Sequence, residues 1–312
     1  FGLKAAILQL HFWLPQAYST TTGVVAALFA IMTKVGVYSI IRVYSLIFGP
    51  DANELALVAH DWLWIMGLLT LVAGAIGILA ARDLRLMVAY LVVISVGSLV
   101  AAFSLSSAAT TGATLFYLIH STFITAALFL LADLMAFERG KTASRIVSGK
   151  KMANHSTYAT FFLIGAIAII GLPPLSGFVS KLMILESAAA NGHNFWLWGA
   201  IIGATFVMLV AVTRAGSKMI WHTLSGKASE QSAPLGKRIA LASLLSLTLL
   251  ISIFANPIRQ YTDAVADQLK ANGIDTRIAY PMPIYEQELY RKKGSEVSRK
   301  MSCPVAERFT SR

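Results

Sequence analysis

Residues 22–47, TGVVAALFAIMTKVGVYSIIRVYSLI, decide the fold, because they form one apolar run long enough to cross a lipid bilayer. A helix needs roughly 20 apolar residues to span the hydrocarbon core. Lys34 lies about a dozen residues into this run, ~18 Å along a helix, which places it near the bilayer centre. An ammonium group at that depth costs at least ~2.5 kcal/mol, so the run predicts a membrane protein in which this lysine has a function.

The rest of the chain has the same character, since 56% of its 312 residues are hydrophobic and 13% are charged. We predict an all-α fold, a polytopic transmembrane helix bundle. A partial helix at 1–10 is followed by the span described above and by further spans at about 57–81, 86–107, 112–137, 157–190, 196–221 and 238–256. Residues 1–256 therefore form one membrane domain of about seven full spans. Residues 257–312 form a polar, basic tail with the composition of a disordered segment, and we assign it no function.

Lysine and arginine concentrate in alternate connecting segments, at 82–85, 138–156 and 214–238. Neither residue occurs in the intervening turns, at 49–54, 106–113 and 191–194. By the positive-inside rule, the basic segments face the cytoplasm. This placement also accounts for much of the net charge of +11, so we do not expect nucleic-acid binding.

Two segments interrupt helices in a way that matters for transport. HFWLPQAYSTTTG at 11–23 follows Lys4, whereas GLPPLSG at 171–177 precedes Lys181. Irregular backbone at membrane depth is tolerated only against protein or a water-filled cavity, and broken helices form the ion sites of many transporters. The opposite order of break and lysine favours an inverted repeat, with packed proline kinks as the alternative. We expect the breaks to be supported by polar groups and prolines, namely His11, Pro15, Pro173, Pro174 and Ser176.

Four titratable residues inside apolar spans are candidate proton carriers: Lys4, Lys34, His120 and Lys181. Burial disfavours a charged amine, so a lysine can exchange a proton near neutral pH, whereas an arginine stays protonated. Histidine titrates near neutrality without help. Each has a structural alternative, because a lysine can snorkel or cap carbonyls and a histidine can simply be packed. Hydroxyls near the histidine could hold water or bond back to their own helix, namely Ser121, Thr122 and Thr125.

Several classes of chemistry lack a signal in the sequence. The single cysteine, Cys303, lies in the polar tail, and there is no motif for ATP hydrolysis, dinucleotide binding or zinc. We therefore predict no cofactor, no metal and no catalytic residues, and an ion gradient or a partner protein as the energy source. The chain starts at Phe1 without a basic region, so it does not begin with a signal peptide, and the simplest interpretation is a fragment lacking its natural beginning.

Five strings carry a resemblance: LHFWLPQAYSTT, TKVGVYSIIRVY, DLRLMVAYLVVISVGSL, LIHSTFITAALFLL and GLPPLSGFVSKLMIL. In this order and spacing, the chain resembles the antiporter-like membrane subunits shared by Mrp-type multisubunit Na⁺/H⁺ antiporters and respiratory complex I. The resemblance covers about residues 1–256 and is greatest to the D-type subunits of the Mrp antiporters. It implies a component of a bacterial plasma membrane, working with other membrane subunits of its complex in the lipid bilayer and moving H⁺ and Na⁺.

The resemblance also implies roles for matched positions. Lys4 corresponds to the family's lysine in the first broken helix, Lys34 to the lysine of the next helix, and Lys181 to the titratable position after the second break. His120 matches the relay histidine, and together these groups imply a hydrated axis in the membrane plane. The glutamate that pairs with the first lysine in the family would lie upstream of Phe1.

Three functions are consistent with this reasoning. The first is a subunit of a cation/proton antiporter, a transporter rather than an enzyme, with the Na⁺ site left open because lysines are poor Na⁺ ligands. The alternative is a proton-pumping membrane subunit of an NADH:quinone oxidoreductase-like redox complex. The third is a scaffold subunit with inert lysines.

Overall fold

The computed structural model describes residues 1–48, 59–189, 194–224, 229 and 232–271, and within them the chain is almost entirely helical. The helices are α1 Gly2–Ala5, α2 Trp13–Thr20, α3 Gly23–Leu46, α4 His60–Ala80, α5 Leu84–Phe103, α6 Ala108–Arg139, α7 His155–Ile170, α8 Ser176–Ala189, α9 Asn194–Gly216, α10 Leu235–Ile253 and α11 Ala255–Ala271. A short 3₁₀ turn, Gly140–Thr142, follows α6, and a π-helical turn, Ser217–Trp221, follows α9. Among the described residues, α3, α4, α5, α6, α9 and α10 are long and apolar enough to cross a membrane. The chain is therefore a multi-pass membrane protein, as its composition predicts.

The span expected at 157–190 is two helices, α7 and α8, separated at the predicted break. Gly171 ends α7 in a left-handed conformation, φ 81°, and its N–H bonds to the Ile167 carbonyl. Pro173 and Pro174 follow, and neither has an N–H that could continue the helical ladder. With 16 residues, α7 is shorter than a full crossing, so α7 and α8 together take the place of one span.

One predicted helix boundary is wrong. The helix expected at 1–10 ends at Ala5, because Ala6 and Gln9 have left-handed backbones, and the irregular stretch is held to α4 by the Leu8 N–H, which donates to Thr70 Oγ1 at 2.8 Å. Pro15 lies in the first turn of α2, where a missing N–H interrupts no helical hydrogen bond. The first break in the helices therefore lies before the Leu-Pro pair and not at it.

The division between membrane domain and tail at 256/257 stays a prediction. The first part of the predicted tail, 257–271, belongs to helix α11 rather than to a disordered segment. The remainder of the tail, the turn at 49–54 and most of the turn at 191–194 lie outside the described residues.

Helix α5 forms the centre of the bundle, and nearly all of its residues are buried. It packs closely along α4 because glycines remove side chains at the contact. A Cβ atom on Gly67 would lie 2.5 Å from the Ala101 nitrogen, and one on Gly97 would lie 2.5 Å from the Leu71 nitrogen. Small residues allow helix backbones to approach this closely in membranes. Helix α5 thereby lies at the centre of the bundle, where Lys34 of α3 contacts it.

The three basic connecting segments meet at one end of the bundle. The Ile146 N–H donates to the Arg82 carbonyl at 2.9 Å, and the Leu224 N–H donates to the Gly149 carbonyl at 2.9 Å. Asp133 pairs there with Arg85 at 2.6 Å and with Lys237 at 3.3 Å. The alternation of charge along the sequence therefore corresponds to a single basic face.

Candidate functional site

Lys34 is enclosed in the core of the bundle, with 2% of its surface exposed. Its side chain extends from α3 to α5, where Nζ donates a hydrogen bond of 2.5 Å to Ser95 Oγ. The serine hydroxyl in turn donates to the Val92 carbonyl at 2.7 Å. The lysine therefore has a polar partner at a depth where an unpaired ammonium would be very unfavourable.

His120 on α6 is fully buried and faces the break between α7 and α8. Its Nδ1 lies 2.8 Å from Ser176 Oγ, and the Ser176 N–H donates to Ser252 Oγ on α10 at 2.7 Å. His120 Nε2 is buried without a hydrogen-bond partner among the described residues. A Cβ atom on Gly177 would lie 3.0 Å from this nitrogen and 1.9 Å from the Ala168 carbonyl, so α7 and α8 close around the imidazole only because residue 177 is glycine.

Lys181 occupies the other side of the same break, with 8% of its surface exposed. Its Nζ donates to the carbonyl of Ile170, the last residue of α7, at 2.7 Å, and to Thr205 Oγ1 on α9 at 3.0 Å. The carbonyl is available because the helical ladder is interrupted there. Lys181 therefore caps a free helix carbonyl, which is the structural alternative considered from the sequence. The hydroxyl of Thr205 gives the same amine a second partner.

These three groups are all buried in the interior of the bundle. His120 and Lys181 lie beside the same break, between α7 and α8, and Lys34 lies on α3 against α5. The row of Lys34, His120 and Lys181 thus lies on three helices, α3, α6 and α8.

Lys4 is not brought into this row, because its side chain is exposed at the surface of α1. Its backbone does approach α3: a Cβ atom on Gly36 would lie 2.9 Å from the Lys4 carbonyl carbon. His11, in the first break, is 6% exposed, and its Nδ1 is buried without a partner among the described residues. Pro15 is buried in α2, whereas Pro173 and Pro174 are exposed in the second break.

The hydroxyls that follow His120 bond back to their own helix. Ser121 and Thr122 both donate to the Leu118 carbonyl, at 3.2 and 2.7 Å, and Thr125 donates to the Ser121 carbonyl at 2.6 Å. This is the structural alternative considered from the sequence, and nothing in the geometry assigns these three residues to the row.

Sequence reasoning missed four polar residues next to the row: Ser95, Ser98, Tyr117 and Thr205. Each lies in an otherwise apolar span, and this is the one signal that could have identified them. Hydroxyls are common in membrane helices, however, because they bond to carbonyls of their own helix, so the signal is weak without knowledge of which way each faces.

Comparison with known proteins identifies the family to which the sequence of this chain is similar. Residues 1–208 match the family profile described as "NADH:quinone oxidoreductase/Mrp antiporter, TM". Residues 229–312 match a second profile, the DegT/DnrJ/EryC1/StrS aminotransferase family. The second match takes in only about a quarter of the chain and includes the candidate span α10, so it carries no argument for aminotransferase activity.

Curated relatives extend the first match. The chain is 32% identical over 301 residues to the D-type subunit of a probable K⁺/H⁺ antiporter of Rhizobium meliloti, covering 87% of this chain and 55% of the relative. It is 33% identical over 275 residues to the D-type subunit of a Na⁺/H⁺ antiporter of Bacillus subtilis, covering 86% of this chain and 54% of the relative. The chain therefore spans about half the length of the curated relatives it matches.

Solved structures share the fold. A chain of the Mrp complex from Dietzia sp. DQ12-45-1b aligns with a TM-score of 0.75 and 21% identity, covering 86% of this chain and 57% of that one. A chain of respiratory complex I from Thermus thermophilus with bound NADH aligns with a TM-score of 0.74 and 23% identity, covering 86% and 56%. At these identities, the likeness concerns the arrangement of helices.

Proposed function

This chain belongs to the NADH:quinone oxidoreductase/Mrp antiporter membrane family, and on that premise we propose that it conducts protons within a membrane subunit of a multisubunit monovalent cation/H⁺ antiporter. The observation that carries the proposal is the buried row of Lys34, His120 and Lys181 beside a broken helix. Such groups are expensive in a membrane interior and mark ion or proton pathways. The role is transport rather than enzymatic catalysis.

Protons move along the row by occupying its groups in turn. Because like charges repel strongly in a medium of low dielectric constant, the three groups cannot all hold a proton at low cost, and a proton arriving at one favours release at another. Ser95, Ser176 and Thr205 supply oxygen partners for these groups. Lys4 is proposed as a further member on the family resemblance alone, since its side chain is exposed.

The coupled cation follows a different route in this proposal. The row presents amines and an imidazole, whereas Na⁺ prefers oxygen ligands, so the cation site lies elsewhere, in partner membrane subunits or at an interface with them. We propose Na⁺ as the cation, although one relative is named for K⁺ and another for Na⁺. We propose that the basic face of the bundle lies on the cytoplasmic side of a bacterial plasma membrane, because the positive-inside rule places segments rich in lysine and arginine there.

A second candidate is the proton-pumping subunit of a redox-driven complex. The likeness of the helix arrangement to a chain of complex I, with a TM-score of 0.74, favours it. In that case the same row would be driven by electron transfer in another subunit, and a cation gradient would have no effect on proton movement.

The test is proton movement in everted membrane vesicles on addition of Na⁺, with respiration held constant. The full-length parent chain in its assembled complex is compared with Lys34→Ala, with Lys34→Arg, and with Lys141→Ala as a control at an exposed lysine of the basic face. We expect both Lys34 variants to lose transport, because arginine keeps the charge but not the proton exchange, and Lys141→Ala to retain it.

The two candidate functions give different results in this assay. Loss of the pH gradient on Na⁺ addition in the parent supports the antiporter. Proton movement that ignores Na⁺ and K⁺ but follows an electron donor supports the redox pump. Full transport by Lys34→Ala contradicts the assignment of this lysine in either case.

A further inference from the structure

Two exposed arginines, Arg82 and Arg214, meet where α4 ends and α5 begins, and a third, Arg145, lies beside them. We propose that this arginine cluster binds the phosphate of an anionic phospholipid whose acyl chains lie along the exposed sides of α4 and α9. The inference goes beyond the proposed function and does not depend on it, because it rests on charge and on the membrane spans rather than on proton transport.

Arg214 connects α9 to the end of α4. Its Nη2 donates to the carbonyls of Leu79 and Ala81, at 3.0 and 3.1 Å, and Arg82 is the next residue in the chain. The other N–H donors of the Arg214 guanidinium have no partner among the described residues, and the side chain is exposed. Because two carbonyls already hold this guanidinium in place, it is preorganised for a further acceptor on its outer side.

The connection between α6 and α7 brings the third arginine to the same place. The Ile146 N–H donates to the Arg82 carbonyl at 2.9 Å, and Arg145 is bridged to Asp83. The Arg145 guanidinium donates to the Lys141 carbonyl at 2.9 Å and is exposed. Its positive charge therefore adds to that of the two arginines at the end of α4.

Carboxylates do not balance the charge of the cluster. Its three arginines form no ion pair within the part of the chain that the structure describes. The adjacent carboxylate, Asp83, accepts hydrogen bonds from the Ser144 hydroxyl at 2.7 Å and from the Arg85 N–H at 2.9 Å. Guanidinium groups present pairs of N–H donors that match phosphate oxygens, so a phosphate anion suits this cluster.

The surface next to the cluster is apolar and belongs to two candidate membrane spans. Leu79 of α4 and Val210 of α9 are 43% and 45% exposed, and each lies about one helical turn from an arginine of the cluster. Farther from the cluster, Ile76 and Phe206 are each 65% exposed. The ends of spans lie at the level of the lipid headgroups, so one lipid molecule can cover the apolar surface and neutralise the arginines together. A free phosphate ion would do only the second.

Two competing interpretations make different predictions. If an acidic surface of a partner subunit covers the cluster, lipid is excluded from α4 and α9 in the assembled complex. If the whole basic face attracts an anionic membrane without a defined site, the effect depends on how much charge is removed and not on where.

The experiment uses the full-length parent chain in its assembled complex, reconstituted in phosphatidylcholine vesicles. A small fraction of a phosphatidylglycerol analogue with a photoactivatable diazirine in its acyl chain is included, and labelled peptides are identified by mass spectrometry. Arg82→Gln/Arg214→Gln is compared with Lys150→Gln/Lys151→Gln. The second pair removes the same charge from exposed lysines of a basic segment that is bridged to Leu224 instead of to the α4–α5 connection. A phosphatidylcholine analogue with the same diazirine reports contact without the net negative charge.

We expect the phosphatidylglycerol analogue to label residues 76–82 and 206–214 of the parent at least roughly 5-fold more than the phosphatidylcholine analogue does. Each arginine near a membrane surface strengthens the binding of anionic lipid by roughly 5-fold, so Arg82→Gln/Arg214→Gln should lower this labelling roughly 10-fold or more. Lys150→Gln/Lys151→Gln should stay near the parent value, and inorganic phosphate should not reduce labelling.

Four results would overturn the inference. Equal labelling by both lipids shows that the headgroup charge is not recognised, and an equal loss in both double variants shows general attraction. Absence of labelling on α4 and α9 shows that a partner subunit covers the surface, and suppression by inorganic phosphate shows a site for the free ion. If Arg82→Gln/Arg214→Gln does not assemble, Arg82→Gln alone decides, because the Arg82 side chain forms no hydrogen bond or ion pair among the described residues.

Discussion

Gly177→Ala is the substitution whose effect the structure predicts most directly. The added Cβ atom would lie 1.9 Å from the Ala168 carbonyl oxygen, whereas close carbon–oxygen contacts are ~3.3 Å, so α8 has to move away from α7 by roughly 1.4 Å. Overpacking of this kind costs ~1–3 kcal/mol, and the obstacle is backbone, which places this case near the upper end. The helix propensity of alanine offsets up to ~1 kcal/mol, so we expect a net loss of ~2 kcal/mol.

The assay is thermal unfolding of the purified parent complex in detergent, together with transport in vesicles. A loss of ~2 kcal/mol corresponds to a melting temperature lower by about 3 °C for a chain of this length, and by less for a larger cooperative unit. Transport should fall as well, because the same movement lengthens the 2.8 Å contact between His120 and Ser176. Gly203→Ala on α9 is the matched control, since a Cβ atom there meets nothing within 4 Å. If Gly177→Ala unfolds at or above the temperature of Gly203→Ala, the tight contact between α7 and α8 is refuted.

The remaining predictions concern the basic face and are checked by thermal unfolding of the same complex. Glu138→Ala should lower the free energy of unfolding by about 3 kcal/mol or more, because it leaves two backbone N–H groups and the Tyr158 hydroxyl without their buried acceptor. Glu138→Gln should cost less, because the amide keeps one acceptor oxygen. Equal effects of the two substitutions would contradict the role of Glu138 as an acceptor. Asp133→Asn should lower stability by only about 1 kcal/mol, since its partners Arg85 and Lys237 are partly exposed, and the difference from the parent should shrink at high salt. A salt-independent loss would show that the ion pairs are not its cause.

The sequence predicted the core of the candidate site because a titratable residue inside an apolar run is visible without coordinates. Lys34, His120 and Lys181 are all buried, as that reasoning required. Lys4 has the same sequence signal, and its side chain is exposed in this chain, which spans about half the length of its curated relatives. Hydrophobic context alone does not distinguish these two situations.

The two breaks show a similar limit. The pair Pro173 and Pro174 interrupts its helix wherever it stands, because proline lacks the N–H group, and so this break was predictable. The first break lies ahead of Pro15, at Ala6 and Gln9, residues with no local preference for a left-handed backbone. A contact from another helix, Leu8 to Thr70, holds it there, and no local pattern signals it.

The sequence by itself determined the membrane class, the positions of most spans, the second break and the alternation of basic segments, because these depend on composition and on the local chemistry of proline and charge. Only the tertiary structure decided which polar groups meet. The packing of α3 against α5 brings Ser95 to Lys34, and the absence of a side chain at Gly177 lets the broken helix close around the imidazole. Those contacts depend on how several helices pack at once, and that information is distributed over the whole chain rather than contained in any one segment.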